Sequence, residues 1–141
     1  MITNNVIQRV FKIKNNAGTA TCFAIDYNDR QYIITAKHVF DSPDNGNSLY
    51  IRHDSKWIQI NHEIVGFHES ADIAVISSGF HIPSHPLPPS INGILYGQEA
   101  YFLGFPFDLE WEVADEALNR SFPLPILKRS IVSAMLFDIP Q

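Results

Sequence analysis

The chain has 141 residues, of which 45% are hydrophobic and 18% are charged, so it can build the core of one compact domain and is not disordered. Its formal net charge of -5 and its scattered lysine and arginine residues exclude the basic surface that nucleic-acid binding needs. No apolar run approaches the roughly 20 residues that cross a bilayer, and the polar first residues are not a secretory signal. With a single cysteine, Cys22, and hence no intrachain disulfide, these features predict a cytoplasmic protein without nucleic-acid or membrane partners.

Segments of strand character dominate the first half of the chain. Strands are predicted at residues 6–14, 20–27, 31–37, 48–53 and 71–77, with one long or broken strand at 57–67. Turn-forming residues separate them at 15–18, 28–29 and 54–55, and a loop is predicted at 42–47. About six short strands at this spacing are typical of a barrel or a sandwich, and a barrel is favoured because its closure removes exposed edges. We therefore predict an all-β fold, with a six-stranded antiparallel barrel in a first domain at residues 1–78.

The second half of the chain has a different composition. Four prolines crowd residues 79–97, which predicts an extended linker that joins no sheet interior. Strands are predicted at residues 98–105 and 127–136, with a short acidic helix at 109–118. About two strands are too few to bury a core, so we expect residues 98–141 to form an incomplete second barrel. Its apolar residues, including Phe102, Phe105 and Leu127, should then pair with the first barrel, pair with a second copy of the chain, or remain mobile.

Four motifs follow one another along the chain. They are GTATCFAI at residues 18–25, YIITAKHVF at 32–40, ADIAV at 71–75 and YFLGFP at 101–106. The first three resemble the paired strands before the catalytic histidine, the histidine motif and the aspartate motif of trypsin-like serine proteases. The fourth is similar to the strand that opens the second barrel in compact bacterial members of that family. The resemblance covers nearly the whole chain and implies a double barrel that hydrolyses peptide or protein substrates without a metal or cofactor.

Two residues carry the chemistry that this resemblance implies. A serine hydroxyl is a weak nucleophile near neutral pH and needs a neutral imidazole to take its proton, a role that falls to His38. A carboxylate must hold that ring in the correct tautomer and stabilise the imidazolium, a role that falls to Asp72. Backbone N–H groups near His38 should also bond this carboxylate. We expect the two side chains to lie within hydrogen-bonding reach, with Asp72 well buried.

The nucleophile is missing from this pattern. The family places its serine in a Gly-x-Ser-Gly turn of the second barrel, and the chain has no such segment. Ser133 resembles a position on the strand just before that turn, and Ser121 and Ser130 have no better context. Cys22 stands where the family usually has glycine, and its apolar neighbours predict a small buried residue with a raised pKa. The sequence therefore predicts a peptidase chain without its nucleophile and oxyanion hole, inactive by itself.

Other interpretations stay open. A pseudoprotease that keeps the barrel and its cleft would be a peptide-binding or protein-binding module, and a sandwich adhesin or scaffold would match the motifs by chance. His81 and His85 have a metal-like spacing but lie among prolines, which disfavours a metal site. The remaining histidines, His53, His62 and His68, are predicted to be solvated strand residues. The acidic residues from 108 to 116 are predicted to form a solvated face.

Overall fold

The computed structural model describes residues 2–41, 48–53, 56–82, 85–109 and 124–134. These residues form one short helix, nine strands and two one-turn 3-10 helices. In chain order they are α1 (Asn4–Ile7), β1 (Val10–Asn15), β2 (Gly18–Tyr27), β3 (Arg30–Thr35), a 3-10 turn (Lys37–Phe40), β4 (Leu49–His53), β5 (Lys56–Ile60), β6 (His62–Phe67), β7 (Ala74–Ser78), β8 (Glu99–Gly104), a second 3-10 turn (Pro106–Asp108) and β9 (Ile126–Ile131). None of the helices in the described ranges is long and apolar enough to cross a membrane.

Seven of the strands form one antiparallel sheet in the order β5-β4-β1-β2-β3-β7-β6. The two end strands, β5 and β6, follow each other in the chain and are separated by Asn61 alone. One bent strand therefore pairs with β4 through its first half and with β7 through its second half, which carries the sheet round into a barrel-like curl. Counted this way the sheet has six strands, and the prediction of an all-β antiparallel fold is confirmed.

The local sequence explains most of these elements, and the structure corrects the start of one predicted strand. The turn between β2 and β3 uses Asn28 and Asp29 with φ of 47° and 59°, the left-handed conformation of tight hairpin turns that these residue types tolerate. Alternate positions of the strands point inward, so that Phe11, Ile13 and residues such as Ile51 form the buried core. The predicted first strand at residues 6–14 was too long at its start, because residues 4–7 form a helical turn and β1 begins at Val10.

The proline-rich linker runs along the first sheet. Its described residues form no strand, in agreement with the prolines, yet two of their amides bond side chains of the β2–β3 hairpin. The N–H of Leu87 donates to Asp26 Oδ2 at 2.7 Å, and the N–H of Ile82 donates to Gln31 Oε1 at 2.8 Å. Asp26 also forms an ion pair with the buried guanidinium of Arg9, at 2.7 Å. These contacts fix the path of the linker on the first sheet.

Strands β8 and β9 pair with each other in a small second sheet. Its apolar side chains are partly uncovered, since Phe102 and Leu127 are 63% and 53% exposed. Phe105 receives the expected cover from the first sheet, because this residue is buried and its N–H donates to Thr21 Oγ1 on β2 at 2.9 Å. An ion pair between Lys12 and Asp108 adds a second tie to the first sheet.

Several predictions fall outside the described residues. The loop at 42–47, the turn at 54–55, nearly all of the acidic helix at 109–118 and the end of the strand at 127–136 lie there. Within the described part of that last strand, β9 ends at Ile131, and Val132 adds backbone hydrogen bonds to Gly97 and Gln98, both at 2.8 Å.

Candidate active site

His38 lies directly after a strand, on a one-turn helix that the core holds in place. Strand β3 ends at Thr35, Ala36 is extended, and the histidine turn (Lys37–Phe40) follows. The side chain of Val39 is buried in the barrel core, whereas the neighbouring imidazole of His38 is 66% exposed. A buried anchor beside an exposed ring fixes the backbone of the histidine turn while leaving the ring accessible.

A second anchor for the histidine turn comes from the hairpin between β1 and β2. The side-chain N–H of Asn15 donates to the carbonyl of Val39 at 2.6 Å. The other atom of the same amide, Oδ1, accepts the N–H groups of Ala17 at 2.9 Å and Gly18 at 3.2 Å. Asn15 thereby closes its own turn and ties it to the residue after His38. The turn was predictable from the sequence, but this hydrogen bond was not, since a contact between residues 24 positions apart has no local signal.

Asp72 meets His38 through both of its carboxylate oxygens. Oδ2 lies 2.6 Å from the ring atom Nδ1, and Oδ1 accepts the backbone N–H of His38 at 2.9 Å. The expected hydrogen-bonding reach and the expected bond from a backbone N–H are both confirmed. The backbone N–H of His38, followed by its ring, lowers the pKa of Asp72 below its ordinary value. An ionised carboxylate only accepts, so Nδ1 carries a proton and the lone pair of Nε2 is free to take one.

The expectation that Asp72 is well buried was wrong. Its side chain is 55% exposed, because it lies in a loop two residues before β7 and not inside a strand. Solvent weakens an exposed pair of this kind, which contributes little to stability. The contact with Asp72 therefore matters because it orients the ring of His38.

An open depression lies beside His38. The hairpin turn between β1 and β2, including Asn15 and Gly18, forms one wall, and His38 with Val39 forms the other. A chain segment bound in this depression would lie against His38.

The candidate nucleophiles lie elsewhere or are unsuited. Ser121 is outside the described residues, and within the described ranges no serine hydroxyl forms a hydrogen bond with His38. Ser133 is exposed and follows the end of β9, while Ser130 lies within that strand. Cys22 has no exposed surface, and burial raises the pKa of its thiol, so the predicted inert cysteine is confirmed.

The metal-binding interpretation gains no support from the described residues. Among them, no group of three or more histidine, cysteine, aspartate or glutamate side chains is arranged to hold an ion. His81 and His85 belong to the linker, and the linker residues that the structure describes form no helix that could present them together.

Comparison with known proteins gives a likeness of fold. No protein-family model and no curated protein matches the chain. A crystal structure of Rv3671c from M. tuberculosis H37Rv, a serine-to-alanine mutant in an inactive form, is 24% identical with a TM-score of 0.52 and covers 72% of this chain. A crystal structure of the Rv3671c protease, also in an inactive form, is 18% identical with a TM-score of 0.54 and covers 89% of it.

The chain spans 45% of the first of these chains and 67% of the second. At this level of identity the likeness concerns the arrangement of strands. The all-β barrel of this chain has the fold of a trypsin-like protease.

Proposed function

We propose that the chain supplies the proton-transfer half of a trypsin-like serine endopeptidase. His38 is the general base and later the general acid, and Asp72 orients it. The observation that carries the proposal is the double contact of one carboxylate with both the ring and the backbone N–H of His38. This contact fixes the tautomer in which Nε2 accepts a proton, the state that an attacking serine needs.

The proposed reaction uses two proton transfers through Nε2. A serine hydroxyl supplied by residues outside this chain attacks the peptide carbonyl while its proton passes to His38. The imidazolium then gives that proton to the leaving amine, and an acyl-enzyme remains. Water attacks the ester, its proton passes to His38, and the serine leaves with that proton. Asp72 stays ionised throughout and stabilises the imidazolium, without a metal or cofactor.

A fluorophosphonate probe tests this assignment, because it labels only a serine activated by a base. The 141-residue chain should remain unlabelled. A chain extended along its own reading frame into a Gly-x-Ser-Gly turn should be labelled at that serine. Labelling should fall by at least about a hundredfold in His38→Ala, since general-base catalysis contributes that much or more. His81→Ala, which removes an exposed histidine of the linker, is the matched control and should label normally.

Labelling of the 141-residue chain at Ser121, Ser130 or Ser133 would refute the proposal that the nucleophilic serine lies outside these residues. Equal labelling of the extended chain with and without His38 would refute the role of the histidine.

A peptide-binding module is the second candidate function. The open depression between the β1–β2 turn and the histidine turn favours it, because such a groove can hold an extended segment without chemistry. Calorimetric titration of the chain with a peptide library would then show binding that survives in His38→Ala. A reading frame that continues into an active nucleophile turn would favour the peptidase instead.

A further inference from the structure

We propose that His68 is a positioning residue for Asp72, acting through a neutral ring that accepts hydrogen bonds. This inference deepens the proposed function and rests on it for its catalytic meaning. Asp72 belongs to the aspartate loop (residues 68–73), which joins β6 to β7. The ring atom Nδ1 of His68 accepts the N–H of Ala71 at 2.9 Å and the N–H of Ser70 at 3.3 Å. The first of these donors is the residue directly before Asp72.

The backbone closes the same loop from its other side. The N–H of His68 donates to the carbonyl of Ile73 at 2.9 Å, and the N–H of Ile73 donates to the carbonyl of Ala71 at 2.8 Å. Asp72 is thus enclosed between two residues that both bond to His68. Its side chain is more than half exposed, so packing does not fix its direction. The hydrogen bonds of the loop therefore position the backbone of Asp72, from which its carboxylate reaches the ring and the backbone N–H of His38.

The donors define the protonation state of His68. A backbone N–H can only donate, so Nδ1 of His68 must present a lone pair and the ring proton must sit on Nε2. His38 requires the opposite arrangement, because its Nδ1 donates to the carboxylate of Asp72. Two histidines joined through one loop should therefore hold opposite tautomers. That pairing is a signature that a histidine with only a packing role would not produce.

An asparagine at this position can reproduce the acceptor. Its side-chain oxygen commonly accepts the N–H two or three residues further along the chain, as Nδ1 of His68 does here. Alanine removes the acceptor altogether. His68→Asn and His68→Ala therefore separate loss of the ring from loss of the hydrogen bonds, and His81→Ala serves as the control for loss of an exposed histidine.

Heteronuclear NMR on the 141-residue chain measures the outcome. In the wild-type protein the nitrogen shifts should show His68 protonated at Nε2 and His38 protonated at Nδ1. In His68→Ala the amide of Ala71 should exchange a few-fold to about tenfold faster, as expected for one lost hydrogen bond. The Nδ1 proton of His38 should also exchange faster, because its acceptor Asp72 is less well placed. His68→Asn and His81→Ala should resemble the wild type in both measurements.

Each result decides the inference. A wild-type His68 protonated at Nδ1, or unchanged exchange of Ala71 and of the His38 ring in His68→Ala, would overturn it. If His68→Ala failed to fold, the tautomers of the wild-type protein would still decide. None of these measurements needs a serine, so failure of probe labelling in the extended chain would refute the peptidase and leave the positioning role of His68 intact.

Discussion

Replacing Asp26 by asparagine should lower the free energy of unfolding by about 2–3 kcal/mol. The reason is Arg9, whose side chain is only 2% exposed and whose Nη2 lies 2.7 Å from Asp26 Oδ2. The guanidinium also donates to the carbonyl of His85 at 2.8 Å. Asparagine removes the negative charge that faces this buried guanidinium.

The magnitude follows from the burial of the two partners. Breaking a fully buried ion pair costs about 3–5 kcal/mol, because the remaining charge is left uncompensated. Asp26 is 21% exposed, and the carbonyl of His85 still accepts from Arg9, so we expect about 2–3 kcal/mol, at or just below the lower end of that range. Asparagine can still accept the N–H of Leu87, whereas alanine cannot, and Asp26→Ala should cost about 1 kcal/mol more.

Urea unfolding near neutral pH measures the difference. Asp29→Asn is the matched control, since it removes the same charge from the adjacent exposed turn and should change stability by less than about 0.5 kcal/mol. A loss in Asp26→Asn no larger than that of the control would refute the reasoning.

The same pair has a defined pH dependence. Burial opposes ionisation of Asp26, but the hydrogen bonds from Leu87, Gln31 and Arg9 outweigh it and lower its pKa. A carboxyl group with a lowered folded-state pKa stabilises the fold fully above its unfolded value of about 3.9, and the stabilisation is lost as pH falls through the folded value. The advantage of the wild type over Asp26→Asn should therefore shrink below about pH 4. An advantage that grows in acid would contradict this sign.

Three further changes test other contacts. Cys22 is fully buried, so mass spectrometry should show that it resists alkylation in the folded chain and reacts on unfolding. Rapid labelling of the native chain would contradict its burial. Asn15→Asp loses the donor to the Val39 carbonyl and should lower the free energy of unfolding in urea by about 1–2 kcal/mol. An unchanged unfolding midpoint would show that this hydrogen bond does not stabilise the fold. Gly104→Ala places its Cβ 3.1 Å from Thr21 Oγ1, so it should lower the free energy of unfolding by about 1–3 kcal/mol. The loss should be markedly smaller in a Thr21→Ala background, which removes the crowded atom.

Patterns within single strands made much of the fold predictable. Alternation and turn residues located most strands to within a few residues, and Asn28 with Asp29 marked the β2–β3 turn. The helical turn at Asn4–Ile7 was missed, because four residues carry too little periodicity to be distinguished from a strand. The break at Asn61 was left open, since a bend that depends on pairing with two different strands has no local signal.

The candidate site was predictable in its residues but not in its surroundings. The motifs around His38 and Asp72 identified the pair, and their contact follows from the pairing of β3 with β7. The exposure of Asp72 was not foreseen, because it depends on what packs against the loop and not on the residues within it. The roles of Asn15 and His68 were missed for a similar reason: an amide or imidazole in a polar segment gives no sign of its hydrogen-bond partners.

The tautomer of His38, measured by proton–nitrogen NMR in the wild type and in Asp72→Asn, tests the central claim most directly. In the wild type the proton should sit on Nδ1, facing the carboxylate. In Asp72→Asn the side-chain oxygen should keep the backbone N–H of His38, which turns the amide NH2 toward the ring. Nδ1 must then accept a hydrogen bond, so the ring proton should move to Nε2. With that proton in place, Nε2 can no longer accept one from a serine. A wild-type ring protonated at Nε2, or a tautomer that does not change in Asp72→Asn, would contradict the account.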